Sequence, residues 1–173
     1  MLIRRETEAD AAAIRVVHDA AFAKPDAPGA ETVESKLVGE LRADGDLLPA
    51  LSLVAELDGR VAGHVCCSHA RIESTPGPVG LGPLGVLPEL QSAGVGSALM
   101  HAVLAAADAL EIPVVVLLGS PGYYSRFGFV LAAEHGITPS IPDWAPHFQV
   151  RPLTAYSAEF TGAFHYAPAF DRI

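Results

Sequence analysis

Apolar and polar residues change their spacing several times along this chain, and each change marks an element. The opening "LIRR" reads as a short strand. In "TEADAAAIRVVHDAAF", Ile14, Val17, Ala21 and Phe22 recur at helical spacing, and Thr7 with Asp10 three residues on has the form of a capping box. "KPDAPG" breaks the pattern. "ETVESKLVGELRA" resumes it as a second helix with Val33, Leu37, Val38 and Leu41 on one face. "LSLVAELDGRVAGHVCCSHARIE" predicts a hairpin, because two strand-like runs flank the turn-forming pair Asp58-Gly59. "STPGPVG" reads as a loop. "LGPLGVL" reads as an irregular strand, since Gly82, Pro83 and Gly85 interrupt a regular ladder.

Helical spacing returns in "GVGSALMHAVLAAADALE", with a stripe of Val95, Leu99, Val103, Ala106 and Leu110. "IPVVVLLG" is continuously apolar, the pattern of a strand buried on both faces. "PGYYSRFGFV" starts as a short helix and turns back at Gly128. The Pro-rich remainder holds two short strands, at residues 148–153 and 162–166. Interleaved helices and strands predict an α/β or α+β fold in one domain spanning residues 1–173, with a core of 1–133 and an irregular C-terminal extension of 134–173.

Composition narrows the classes. A chain of 173 residues, half of them hydrophobic, suffices for one domain with a full core. A net charge of −9 argues against a general nucleic-acid binder, which needs a basic face. Cys66 and Cys67 are the two cysteines; adjacent on a strand, they point to opposite faces, which supports neither a disulfide framework nor a metal site. "MLIRRETEAD" lacks the apolar region of a secretory signal, and no run reaches the roughly 20 residues of a membrane span. A soluble cytoplasmic protein without a membrane partner is the expectation.

The chemistry centres on "QSAGVGSA", a polar turn that opens a helix directly after a strand. The first amides of a helix lack internal partners, and the helix dipole places partial positive charge beside them. Glycines there let a pyrophosphate approach the backbone. The plain alternative is a tight strand-to-helix turn, and spacing alone leaves both readings open. A P-loop is excluded by the absence of lysine. A dinucleotide fingerprint is excluded because Leu99 stands at the third glycine position.

Gln91-x-x-Gly94-x-Gly96 resembles the acyl-CoA signature of the GNAT N-acetyltransferase superfamily. "PLGVLPELQ" resembles that family's fourth strand and its exit, and "VVVLLGSPGYYSRFGF" its fifth strand, short helix and Y-x-x-x-G-F ending. The wording around these motifs and the tail "FHYAPAF" are most similar to the YhbS-like subgroup. The resemblance implies a mixed, mostly antiparallel twisted sheet flanked by helices. It also implies an acetyl-CoA co-substrate, no metal, and an amine acceptor on a small molecule or protein. Leu84, Gly85 and Val86 would then hold the pantetheine arm through their backbone. Gln91, Ser92, Ala93, Gly94, Val95, Gly96 and Ser97 would hold the pyrophosphate, and Tyr124 would act as general acid toward the leaving thiolate. A non-catalytic acyl-CoA sensor of the same fold is the alternative.

This chain departs from the family in one respect: no Lys or Arg occurs over residues 72–125, which leaves Arg126 as a distal cation. Glu34, His69 and Glu73 are candidate general bases, each with a plainer reading as a solvated or hydrogen-bonded side chain. Tyr123 reads as packing beside Tyr124, with a partial role at the acceptor pocket. Trp144, Phe148, Phe164, Tyr166 and Phe170 complete the core or a homodimer contact, or wall the acceptor site.

Overall fold

The computed structural model describes residues 1–173. The strands are β1 (Leu2–Arg5), β2 (Leu47–Leu57), β3 (Arg60–Ile72), β4 (Thr75–Val86), β5 (Val114–Leu118), β6 (Val130–Leu131), β7 (Ile137–Thr138), β8 (Phe148–Pro152) and β9 (Gly162–His165). The helices are α1 (Ala11–Ala21), α2 (Val33–Asp44), α3 (Val95–Ala109) and the single turn α4 (Pro121–Tyr124). The main path of the sheet runs β1-β2-β3-β4-β5-β8-β6, and β9 joins the end of β3 to β7. All of these pairings are antiparallel except β4 with β5 and β7 with β9.

Two cores lie on opposite faces of the sheet. Leu51, Leu53, Val65, Cys67 and Val79 pack under α3, while Val54, Val61 and Cys66 pack under α1 and α2. The adjacent cysteines thus enter different cores, as the two-residue period of a strand requires. A third cluster, with Phe148, Phe164 and Ile137, seals the C-terminal segment onto the sheet.

Three expectations needed correction. Residues 74–80 are not a loop, because β4 begins at Thr75 and Val79 and Gly80 pair with both β3 and β5. Strand neighbours on both sides supply the ladder that this Gly- and Pro-rich stretch does not advertise. On α2, Leu37, Val38 and Leu41 are buried but Val33 is 46% exposed, since the first turn overhangs the sheet. On α3 the buried stripe follows the i, i+4 row Val95, Leu99, Val103 and Ala107, joined by Met100, while Leu110 is exposed.

The entry to α1 is tied to β1. The Asp10 carboxylate accepts from the Thr7 amide at 2.7 Å and from the Thr7 hydroxyl at 2.9 Å. The Arg4 guanidinium donates to both carboxylate oxygens, at 2.7 and 2.9 Å. Arg4 and the Thr7 amide outweigh burial and hold Asp10 well below the usual carboxylate range. A depressed folded value means stability that is present above the unfolded value of about 3.9 and is lost as pH falls through the folded one. Asp10→Asn should therefore cost about 2 kcal/mol at pH 7. It should also lose less than the wild type between pH 5 and pH 2 (about the span of the titration), as read by urea unfolding across that range.

Candidate active site

The site begins where two strands part. β4 and β5 share only the register pairs Val79–Val115 and Gly80–Val116. Beyond Gly80, β4 keeps β3 on one side and loses β5 on the other, so backbone groups on that edge face a gap. Opposite Val65 and Cys67 on β3 stand Leu84 and Leu81, an extra residue on β4 that forms a bulge. The bulge reverses the alternation, so Leu81, Leu84 and Val86 all pack toward α3 while Gly80 and Gly85 face the other side of the sheet.

After Val86 the chain passes a 3-10 turn at Pro88–Leu90 and reaches Gly94, the residue before α3, at φ 89°. That left-handed conformation explains this glycine without any ligand. The first bond of α3 runs from the Ala98 amide to the Gly94 carbonyl, so the amides of Val95, Gly96 and Ser97 have no carbonyl a turn earlier. Gly96 has a different reason: a Cβ there would stand 3.0 Å from the Tyr123 hydroxyl. Gln91 turns its side chain back and donates from Nε2 to the Val86 carbonyl at 3.1 Å.

These parts enclose a cleft of about 660 Å³. Leu84 and Val86 form one wall, Gln91, Ser92, Gly94, Gly96 and Ser97 the helix entrance, and Tyr123, Tyr124 and Arg126 the far side. Of the other residues expected at the cofactor site, Gly85 faces α1, Val95 is buried in the core and Ala93 is exposed. Ala21 and Phe22, at the end of α1, line the cleft as well. Sequence reading assigned both to a helix face; only the packing of α1 across β4 brings them here.

Tyr124 is positioned by a missing side chain. A Cβ on Gly119 would collide with the Tyr124 ring, so the end of β5 admits the ring only because residue 119 is glycine. Tyr123 and Phe129 meet the ring edge-on at 4.9 and 5.9 Å. Burial, with Tyr123 adding to it, pushes the Tyr124 phenol up to about 12. It therefore remains a protonated donor throughout the neutral range. The Arg126 guanidinium lies over the Tyr123 ring, 4.8 Å from its centre, and supplies the one cation of the cleft wall.

None of the three carboxylate and imidazole candidates for a base lines the cleft. Glu73 accepts from the Ala163 amide at 2.7 Å and clamps β9, His69 is exposed, and Glu34 lies in the first turn of α2. Phe148 and Phe164 are core residues. Tyr166 stacks on Phe170 at 4.3 Å and covers Gly80. A largely buried network of Glu6, Ser52, His64 and His18 on the α1 face of the sheet had no sequence signature, because its members come from four separate segments.

A sheet that splits at the start of a glycine-entered helix, with tyrosines facing that entrance, is the architecture of an N-acetyltransferase. The chain belongs to the GNAT acetyltransferase family. Residues 49–131 match the family model for the acetyltransferase (GNAT) domain. The chain is 36% identical over 175 residues to YhbS of Escherichia coli (strain K12), described as an uncharacterized N-acetyltransferase, with 99% of each chain covered. The crystal structure of E. coli YhbS in complex with CoA superposes with a TM-score of 0.89 at 34% identity, covering 99% of this chain and 92% of that one. A GNAT family acetyltransferase from Brucella melitensis in complex with acetyl-CoA gives a TM-score of 0.79 at 36% identity, covering 98% and 97%.

The contact at Gly119 can be checked directly. Gly119→Ala should cost about 1–3 kcal/mol, the usual range for overpacking, and should change the near-ultraviolet signal of the tyrosines. In a Tyr124→Ala background the same substitution should be close to neutral in chemical denaturation. A full cost in both backgrounds would mean that Tyr124 is not what residue 119 accommodates.

Proposed function

We propose that this protein transfers the acetyl group of acetyl-CoA to a primary amine of a small molecule or protein by direct attack. The observation that carries this reading is the β4/β5 split leading into the unpartnered amides at the start of α3. The edge of β4 at Leu84, Gly85 and Val86 suits a pantetheine arm, which would take the place of the missing strand. Residues 91–97 suit a pyrophosphate, by backbone amides and helix dipole, with Arg126 as the nearby cation. The CoA and acetyl-CoA present in the E. coli and Brucella relatives support the same assignment.

In this reading the amine nitrogen attacks the thioester carbon, the C–N bond forms and the C–S bond breaks. The Val86 amide stabilises the developing oxyanion. Tyr124 Oη gives its proton to the departing thiolate, for which its neutral phenol is suited. Neither cysteine is needed as a nucleophile. Both are fully buried, and burial raises both thiols.

Two experiments test the reading. Ser97→Asp places a carboxylate where phosphates would lie, yet an acidic residue in the first turn favours the helix itself. Calorimetry should show acetyl-CoA affinity falling at least about tenfold, about 1.4 kcal/mol, with thermal stability retained; unchanged affinity would remove the helix entrance as the site. Next, thiol release should be measured over a panel of primary amines and lysine peptides. On the best acceptor, Tyr124→Phe should lower kcat by about 10²-fold with little change in acetyl-CoA affinity, as for a proton donor acting in the transition state. Binding of acetyl-CoA by the wild type without turnover on any amine would favour the sensor reading.

A further inference from the structure

Two adjacent tyrosines of α4 line the cleft, and the reaction proposed above uses only Tyr124. The Tyr123 hydroxyl is placed differently. A Cβ built on Gly96 would stand 3.0 Å from Tyr123 Oη and 3.7 Å from Val86 Cγ2. The hydroxyl therefore reaches the corner where the last residue of β4 meets the start of α3.

In a helix every Cα–Cβ bond tilts toward the N-terminus. An atom close to that Cβ position lies on the N-terminal side of Gly96. This is the side on which the amides of Val95, Gly96 and Ser97 have no carbonyl a turn earlier. The hydroxyl enters from the α4 wall of the cleft, and the amides belong to α3. Donors from two elements thus meet at one corner. The amides of a single helix turn approach an anion from one side, whereas a pyrophosphate presents oxygens in several directions.

The ring that carries this hydroxyl is held on several sides. Tyr124 meets it edge-on with centres 4.9 Å apart, and Phe127 packs against it at 5.5 Å. The Arg126 guanidinium lies over it, 4.8 Å from the ring centre. Arg126 is exposed, and the ion pairs of the chain leave it out. A long exposed side chain with no partner samples many rotamers. Attraction to the ring face gives this one a preferred place on the cleft wall. Tyr123 and Arg126 therefore act as a unit, with the cation on the ring face and the hydroxyl against the helix start.

We propose that Tyr123 Oη donates a hydrogen bond to the pyrophosphate of the co-substrate and that the Tyr123 ring positions Arg126 beside the same phosphates. The inference rests on the reading of residues 91–97 as the pyrophosphate site. Phosphate oxygens accept, so the phenol is the donor, and a bond to a charged acceptor is the stronger kind. The need is clear from the sequence, which has no Lys or Arg over residues 72–125. The adjacent tyrosines then divide the work. Tyr124 gives a proton to the departing thiolate, and Tyr123 fixes the phosphates. Gly96 belongs to the same arrangement, because a side chain there would press on the Tyr123 hydroxyl.

Binding measurements test this without any acceptor amine. The ligands are acetyl-CoA and its dephospho form, which lacks the 3′-phosphate and keeps the pyrophosphate. Tyr123→Phe preserves the ring and removes only the oxygen. By calorimetry it should weaken both ligands about tenfold or more, as loss of a hydrogen bond to a charged group would, while the free protein melts as the wild type does. In ³¹P NMR of bound acetyl-CoA, the pyrophosphate resonances should differ between wild type and Tyr123→Phe and the 3′-phosphate resonance should not. Tyr123→Leu removes the ring as well. Its affinity should fall with added salt no more steeply than that of Arg126→Gln, because the cation has lost its place and an exposed charge is readily screened. A salt dependence as steep as the wild type's would overturn the positioning of Arg126. Unchanged affinity in Tyr123→Phe, or a loss confined to acetyl-CoA, would overturn the pyrophosphate contact and leave residues 91–97 as the site. A wild type that binds neither ligand ends both readings.

Discussion

Two register pairs are all that join β4 to β5, and the rest of the site follows from how few they are. A parallel pair continued to Val86 would have satisfied the edge of β4 and closed the sheet. Because it stops, backbone donors and acceptors along that edge of β4 are left without a strand partner beside a gap. The same divergence gives α3 room to start at the mouth of the gap, with its dipole and first amides directed there. An edge of unpaired backbone groups and a set of free helix amides thus follow one another along one cleft.

The split also separates two sets of ring contacts by face. On the α3 side, Tyr123 and Tyr124 reach the cleft because residues 96 and 119 have no side chains to stop them. On the α1 side, Gly80 and Gly85 admit Tyr166 and His18 against the bare backbone of β4. The bulge opposite Val65 and Cys67 puts both of these glycines on the α1 face, since without it the alternation would send one of them to the other side. Close approach of a ring to backbone is therefore a repeated device here. Burying His18, His64, Ser52 and the Glu6 carboxylate is costly unless each is hydrogen-bonded, and all but one nitrogen of that set are.

Much of this was legible in the chain. The helical spacing of Ile14 and Val17, the Asp58-Gly59 turn and the apolar run of β5 announce their elements because local geometry alone generates those patterns. Gly94 and Gly96 drew notice for their place at a helix start, and the cleft does open there. Their causes proved different: a left-handed turn at one, the Tyr123 hydroxyl at the other. The first half of β4 went unread because Gly- and Pro-rich strands owe their ladder to neighbours rather than to their own residues. Val33 and Leu110 were placed inside on periodicity, which gives a stripe but not where a helix end overhangs the surface it covers.

The sequence alone determined the alternation of elements, the two-sided core and the glycine-entered helix, since each depends on residues within a turn or a strand length of one another. Tertiary structure alone decided where β4 and β5 part, which rings fill the places of absent side chains, and that Glu6, His18, Ser52 and His64 meet. Those four come from the segment after β1, from α1, from β2 and from β3. No periodicity links them, and their contact exists only because the sheet carries β2 and β3 side by side under the helix.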